Sequence, residues 1–270
     1  MNVPQDFITY PLDLGETPRT EKESGATLII LRVPYFQGET SDIPYATVPL
    51  GIILTDRYVA TVCKFEVNVI QEMVSGRVRG LLTAKRYRFI LQLLLMTANR
   101  FLNNLRAINK TVDELEDRLQ SSLRNRELVE ILKYQKSLVY FTTALKANEL
   151  MINHLQREQL FQLYPEDQDL LEDVHTEVQQ AIEMTNISSS ILSQMMGAFA
   201  AIISNNLNVV LKFLAAITIV VSLPTMIASF FGMNVVLPLQ NHPLAFSLVV
   251  IVAVAVSVFV IFVLWKKDWL

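Results

Sequence analysis

The chain is short of the residues that carry most site chemistry: its 270 residues include one cysteine, Cys63, and three histidines, His154, His175 and His242. A lone thiol excludes an intrachain disulfide and suits a reducing compartment. The scattered imidazoles have neither metal-ligand spacing nor a nucleophile beside them. Glycine is missing where nucleotide chemistry would need it. Gly76-Arg77-Val78-Arg79-Gly80 is the nearest approach to a phosphate-binding loop, and it lacks both the spacing and a following Lys-Ser/Thr. No enzyme is expected from these residues. An excess of positive charge is also missing, and a net charge of −3 argues against a general nucleic-acid partner. Met1 to Tyr10 has neither a basic start nor an apolar core, so no secretory signal peptide is expected.

Charge itself is absent from two stretches, Phe213 to Phe231 and Leu244 to Leu264. At about 1.5 Å per residue each approaches the ~30 Å hydrocarbon thickness of a bilayer, and both read as transmembrane helices. The whole chain is 51% hydrophobic and 18% charged, too apolar for an ordinary soluble domain and too charged to lie wholly in lipid. A large soluble part and a small membrane part fit. Lys212 before the first span and Lys266-Lys267 after the second place both termini in the cytoplasm by the positive-inside rule, with Trp265 and Trp269 at the interface.

The first span carries a polar stripe. Thr218, Ser222, Thr225 and Ser229 recur at intervals of four, three and four, and the same face continues back through Leu211 to Asn208 and Ser204. Hydroxyls in a membrane helix commonly bond their own carbonyls or glue neighbouring helices. This stripe, however, runs past the membrane edge, and two spans cannot enclose a water-filled path. Several copies are expected to associate with the stripe turned toward a common axis.

Upstream, residues 1–80 read as a small α/β unit. A buried strand covers Thr27–Val33 and stops at Pro34, a hairpin joins Leu50–Leu54 to Tyr58–Val62, and a helix runs from Phe65 to Val74. Residues 81–165 hold neither proline nor glycine before Pro165 and read as an antiparallel helical hairpin whose second helix starts near Asn125. The basic cluster Arg77, Arg79, Lys85, Arg86 and Arg88 reads as a solvated helix start, with acidic lipid or a carboxylate-rich neighbour as the alternative contact. Pro165 followed by Glu166-Asp167-Gln168-Asp169 marks a new helix. Its stalk, 166–212, continues into the first span, 213–231, for roughly 95 Å in all. An outer loop, 232–243, the second span, 244–264, and a basic tail, 265–270, complete the chain.

With Gly232-Met233-Asn234 after an aromatic residue, a Pro224-containing first span, a short outer loop, a basic C-terminus and an α/β unit joined to a long stalk, the whole chain resembles the CorA family of magnesium transporters. That two-span superfamily is marked by Gly-Met-Asn at the end of its first span. The resemblance implies an α+β membrane protein: an N-terminal cytoplasmic α/β domain with long helices, and a stalk helix continuous with the first of two C-terminal transmembrane helices, assembled as a homopentameric funnel in the cell inner (plasma) membrane. It implies membrane-potential-driven influx of Mg2+, with Co2+ as a second ion, gated by cytosolic Mg2+ and without a cofactor. Gly232, Met233 and Asn234 would form the selectivity filter. Ser229, Thr225, Ser222 and Thr218 would line the upper pore, Leu211 and Leu214 the hydrophobic constriction, and Asn208 the inner polar ring. The expected partners are further copies of the chain, divalent cations and membrane lipid.

Relatives of this kind sense cytosolic magnesium through carboxylates between neighbouring soluble domains. Asp173, with Asp169 and Glu172, is the candidate regulatory site here, although acidic residues also suit any helix N-terminus. Two departures stand out. Val235 to Pro243 has no carboxylate, only His242 as a polar metal-binding type, and the soluble part begins abruptly, as if shortened relative to longer relatives. The alternatives are a proton-coupled zinc transporter of the same superfamily and a membrane-anchored scaffold without transport.

Overall fold

The structure, a computed structural model, describes residues 3–76, 84–122, 125–158, 164–234, 243–267 and 269. Arg77 and Arg79 of the basic cluster, and Val235 to His242 of the outer loop, lie outside them. The chain forms two compact units, Met1–Met196 and Gly197–Leu270.

The first unit is built on a four-stranded antiparallel sheet in the order β1 (Arg19–Glu23), β2 (Ala26–Phe36), β3 (Tyr45–Leu54), β4 (Val59–Cys63). The expected hairpin is β3–β4: Leu54 pairs with Val59, and Thr55 closes the turn by accepting the Tyr58 amide on its hydroxyl at 3.1 Å. β2 reads as a nearly continuous apolar run because both of its faces are covered. Leu28 and Ile30 pack with Phe7 of helix α1 (Gln5–Thr9), while Ile29 and Leu31 are buried on the face that points the other way. Polar β1, Arg-Thr-Glu-Lys-Glu, has no apolar signature and is a charged edge strand.

β2 does not stop at Pro34 as its sequence suggests; it pairs on to Phe36. The reason lies in hydrogen-bond parity. β1 covers β2 only as far as Ile30, and the next amide of that parity, Arg32 N–H, donates to the Asn148 side-chain oxygen at 2.8 Å. Pro34 shares that parity, so its missing N–H would have faced the same uncovered side and costs no ladder bond. Pro49, opposite Arg32, likewise turns its nitrogen away from β2, past the end of β4.

Three long helices follow α2 (Asn68–Val74), which ends at Gly76 in the left-handed region, φ 69°. α3 (Arg86–Ser122) and α4 (Asn125–Arg157) pack against each other and the sheet, with the Phe101 and Phe141 rings edge to face at 4.9 Å. α4 also supplies the polar partners of the open sheet positions. Asn148, 3% exposed, accepts the Arg32 amide and donates to the Arg32 carbonyl at 2.8 Å, and the Ser137 hydroxyl accepts the Tyr45 amide at 3.1 Å. The Arg32 guanidinium donates to Leu14 O, Glu16 O and Thr47 O, binding the N-terminal segment to the sheet; burial pulls its pKa below the ordinary value.

α5 (Pro165–Phe231) is a single helix of 67 residues, as the sequence indicates. In the first unit it buries Leu171, Val174, Val178, Ala181, Thr185, Ser188 and Leu192 at alternating intervals of three and four, a coiled-coil seam. α5 runs antiparallel to α4: Gln135 pairs with Ser193, Glu149 with Gln179, and Gln156 with His175. Two changes test this packing. A Cβ on Gly51 would lie 2.2 Å from Pro11 Cγ, so Gly51→Ala is expected to destabilise the soluble unit by about 1–3 kcal/mol. Asn148→Ala, which strands two buried backbone groups of β2, is expected to cost roughly 3 kcal/mol. Denaturant titration of the purified soluble unit checks both.

Candidate ion-conduction site

In the second unit, α5 and α6 (Ala245–Lys266) are the two helices long and apolar enough to cross a membrane among the described residues. Their polar and apolar faces are organised by helical geometry. Within the first span the least exposed α5 positions are Ala216, Val220, Leu223 and Ile227, at four-three-four spacing, with Pro224 beside them. Pro224, Ala228, Phe231 and Gly232 line a groove of about 570 Å³ with Phe246, Val250, Ala253 and Ser257 of α6, so this side of α5 faces α6.

Thr218, Ser222, Thr225 and Ser229 each stand two residues beyond one of those positions, about 200° around the helix. The hydroxyl stripe therefore occupies the side of α5 opposite these least exposed positions, and all four residues are exposed, as are Asn208, Leu211 and Leu214 below them. Thr218 Oγ1 donates to Leu214 O at 2.8 Å, Ser222 Oγ to Ile219 O at 3.1 Å and Thr225 Oγ1 to Val221 O at 2.9 Å. With these three hydroxyl protons used within the helix, their oxygens present only lone pairs outward. A hydrated divalent cation presents only water donors, so this acceptor face is chemically matched to it.

The stripe leads to Gly232-Met233-Asn234. α5 ends at Phe231, and the chain continues helically for one step: the Gly232 amide donates to Ala228 O at 2.9 Å and the Met233 amide to Phe230 O at 3.4 Å. Gly232 is not in the left-handed region, so the turn does not depend on glycine's conformational freedom, and a Cβ there would meet only Ala228 O at 3.4 Å and Ser229 O at 3.5 Å. Met233 and Asn234 are exposed. His242 and the carboxylate-free loop lie outside the described residues.

The acidic head of α5 divides in two. Asp167, 2% exposed, points inward with one carboxylate oxygen 3.6 Å from the Arg88 guanidinium and so belongs to the packing of α5 on α3. Asp169, Glu172 and Asp173 are exposed on the side away from the buried seam. Among the described residues no three His, Cys, Asp or Glu side chains of one chain converge to hold a metal. Arg88 therefore meets a carboxylate of the acidic first turn of α5, the carboxylate-rich neighbour that is the alternative to a solvated helix start.

The comparisons with known proteins agree with this geometry. The family model described as CorA-like Mg2+ transporter protein matches residues 1–267. The cobalt/magnesium transport protein CorA of Methanocaldococcus jannaschii is 28% identical over 96% of this chain and 82% of its own. The complete structure of the CorA magnesium transporter from that organism superposes with a TM-score of 0.87 at 25% identity, covering 99% of this chain and 84% of that one. The full-length CmaX protein shares the fold, with a TM-score of 0.70 at 16% identity over 95% and 78% of the two chains.

The two faces of α5 are separable by thiol chemistry. Cysteines placed at Thr218, Ser222 or Thr225 are expected to react with a water-soluble thiol reagent at least tenfold faster than cysteines at Ala216, Val220 or Ile227, measured in proteoliposomes by mass shift.

Proposed function

This chain belongs to the CorA-like Mg2+ transporter family, ion transporters rather than enzymes, and from that premise we propose that it is a homopentameric channel for Mg2+, with Co2+ as a second ion. The observation that carries the reading is the acceptor-lined stripe on the α5 face opposite its least exposed positions. A polar face in a bilayer is stable only against water or protein, and one chain supplies neither, so five copies of α5 turn it toward a shared axis.

Along that axis Asn234 offers amide carbonyls to the hydrated ion at the outer mouth, as part of a Gly232-Met233-Asn234 filter. Neutral oxygen acceptors bind the ion's waters without stripping them, which suits an ion that dehydrates reluctantly. Ser229, Thr225, Ser222 and Thr218 extend the acceptor lining inward. Leu211 and Leu214, both 53% exposed in the single chain, form the apolar constriction, which closes by dewetting, and Asn208 forms the inner polar ring. Lysines at Lys212, Lys266 and Lys267 put both termini on the cytoplasmic side of the inner (plasma) membrane. The driving force is the membrane potential, since two inward charges gain about 4.6 kcal/mol per 100 mV.

Regulation follows from the acidic head of α5. Asp169, Glu172 and Asp173 are too few on one chain to hold a cation tightly, and bound Mg2+ between them and an adjacent protomer stabilises the closed ring. Cofactors have no part in this cycle; Mg2+ is both cargo and regulator.

In liposomes holding the purified chain, a potassium-diffusion potential is expected to drive Mg2+ entry that Asn234→Ala reduces at least tenfold. Entry of zinc in preference to Mg2+, with dependence on a proton gradient, would replace this reading with a zinc transporter; no entry by the unsubstituted chain would leave a scaffold. Asp169→Asn with Asp173→Asn is expected to raise several-fold the internal Mg2+ concentration needed for half-inhibition.

A further inference from the structure

The soluble part of α4 carries a second apolar stripe that the fold of one chain leaves uncovered. Its buried seam faces α3 and the sheet, and two residues further round lie Val129, Leu132, Lys136, Val139, Thr143, Lys146 and Leu150, all exposed at three-and-four spacing. Val139 is 57% exposed and Leu150 71%. Lys136 and Lys146 enter no ion pair among the described residues. α5 offers the counterpart. Opposite its own seam it exposes Asp169, Asp173 and Glu183, then Ile187 and Ile191 at 59% and 51% exposure. From Glu166 to Leu211 it contains no lysine or arginine, so no cation on α5 itself answers those carboxylates.

The antiparallel register of α4 on α5 gives the height of every position. Contacts between 135 and 193, 149 and 179, and 156 and 175 set Lys146 level with Ile182 and Val139 level with Ser189. Lys146 thus stands at the height of Glu183, and Val139 at a height between Ile187 and Ile191. Rotation about an axis running along α5 leaves heights unchanged. In a ring of identical chains, equal heights meet across every interface.

We propose that the soluble parts associate head to tail through these two stripes, the outer face of α4 of one protomer packing on the outer face of α5 of the next, with Lys146 opposite Glu183 and Val139 between Ile187 and Ile191. The inference rests on the ring of the preceding section and names its soluble interface. Charge sign favours the pairing: the charged stripe positions of α4 are lysines, with Asp42 beside their Lys136 end, and those of α5 are carboxylates, so unlike faces attract. It also places the regulatory carboxylates. Asp169 and Asp173 lie below Glu183 on the same face, beyond the reach of Lys136 and Lys146 and, by the same register, level with the exposed Arg157 near the end of α4.

The test uses the full-length chain with Cys63→Ser, purified in detergent. Lys146→Cys together with Glu183→Cys is expected to give, under mild oxidation, a ladder of linked chains from two up to five, because a disulfide needs Cα atoms within about 7 Å. Neither single variant, nor Lys146→Cys with Asp169→Cys some 20 Å along the helix, should do so. In the otherwise unsubstituted chain, Lys146→Glu is expected to speed exchange of labelled subunits about tenfold, and adding Glu183→Lys to restore it. A stable five-chain ring that conducts Mg2+, yet shows neither the ladder nor the charge rescue, would overturn the interface and leave the channel reading intact. A chain that neither conducts nor forms a ring would overturn both.

Discussion

A helix that crosses a bilayer with one polar face cannot show that face to lipid, and much of the molecule answers to this constraint. α6 lies along α5 at Pro224 and Ala228, while Thr218, Ser222 and Thr225 stand opposite the least exposed positions Ala216, Val220 and Leu223. Those hydroxyls bond the carbonyls of their own helix, which removes donors and leaves an acceptor surface. Such a surface is chemically suited to hydrated cations, and among the described residues it stays exposed.

The soluble unit repeats that logic in water. α5 buries a heptad seam from Leu171 to Leu192, and its opposite face is acidic and then isoleucine-rich. α4 buries one stripe and exposes another. Both helices are two-faced along their length, which is unnecessary for a chain that functions alone and consistent with one that works as a ring. Within the unit, the sheet is held to the helices by polar anchors as much as by apolar packing: Asn148 completes the ladder of β2, and Arg32 binds the N-terminal segment.

Much of the fold was legible because its signals are long and periodic. A proline-free, glycine-free run from Leu81 to Tyr164 could only be long helices, and the stripe from Asn208 to Ser229 declared a face. Short-range signals misled. β1 was invisible because an edge strand of Arg-Thr-Glu-Lys-Glu has no apolar alternation, and β2 was cut at Pro34 because a proline ends a strand only when its amide is needed. Gly51 gave no sign that Pro11 sits against it. The five acids at the head of α5 looked alike, yet Asp167 is buried beside Arg88 while Asp169 and Asp173 face outward.

The sequence by itself determined that the chain ends in two membrane-length helices, that the first carries a polar stripe leading to Gly-Met-Asn, and that a long uninterrupted helix precedes it. These are consequences of hydropathy and helical period, which are local properties. Only the tertiary structure decided which side of α5 meets α6, which carboxylate is an internal ion pair, and which faces of α4 and α5 remain open. Those depend on the azimuth and register of one helix against another, set by side chains far apart in the chain.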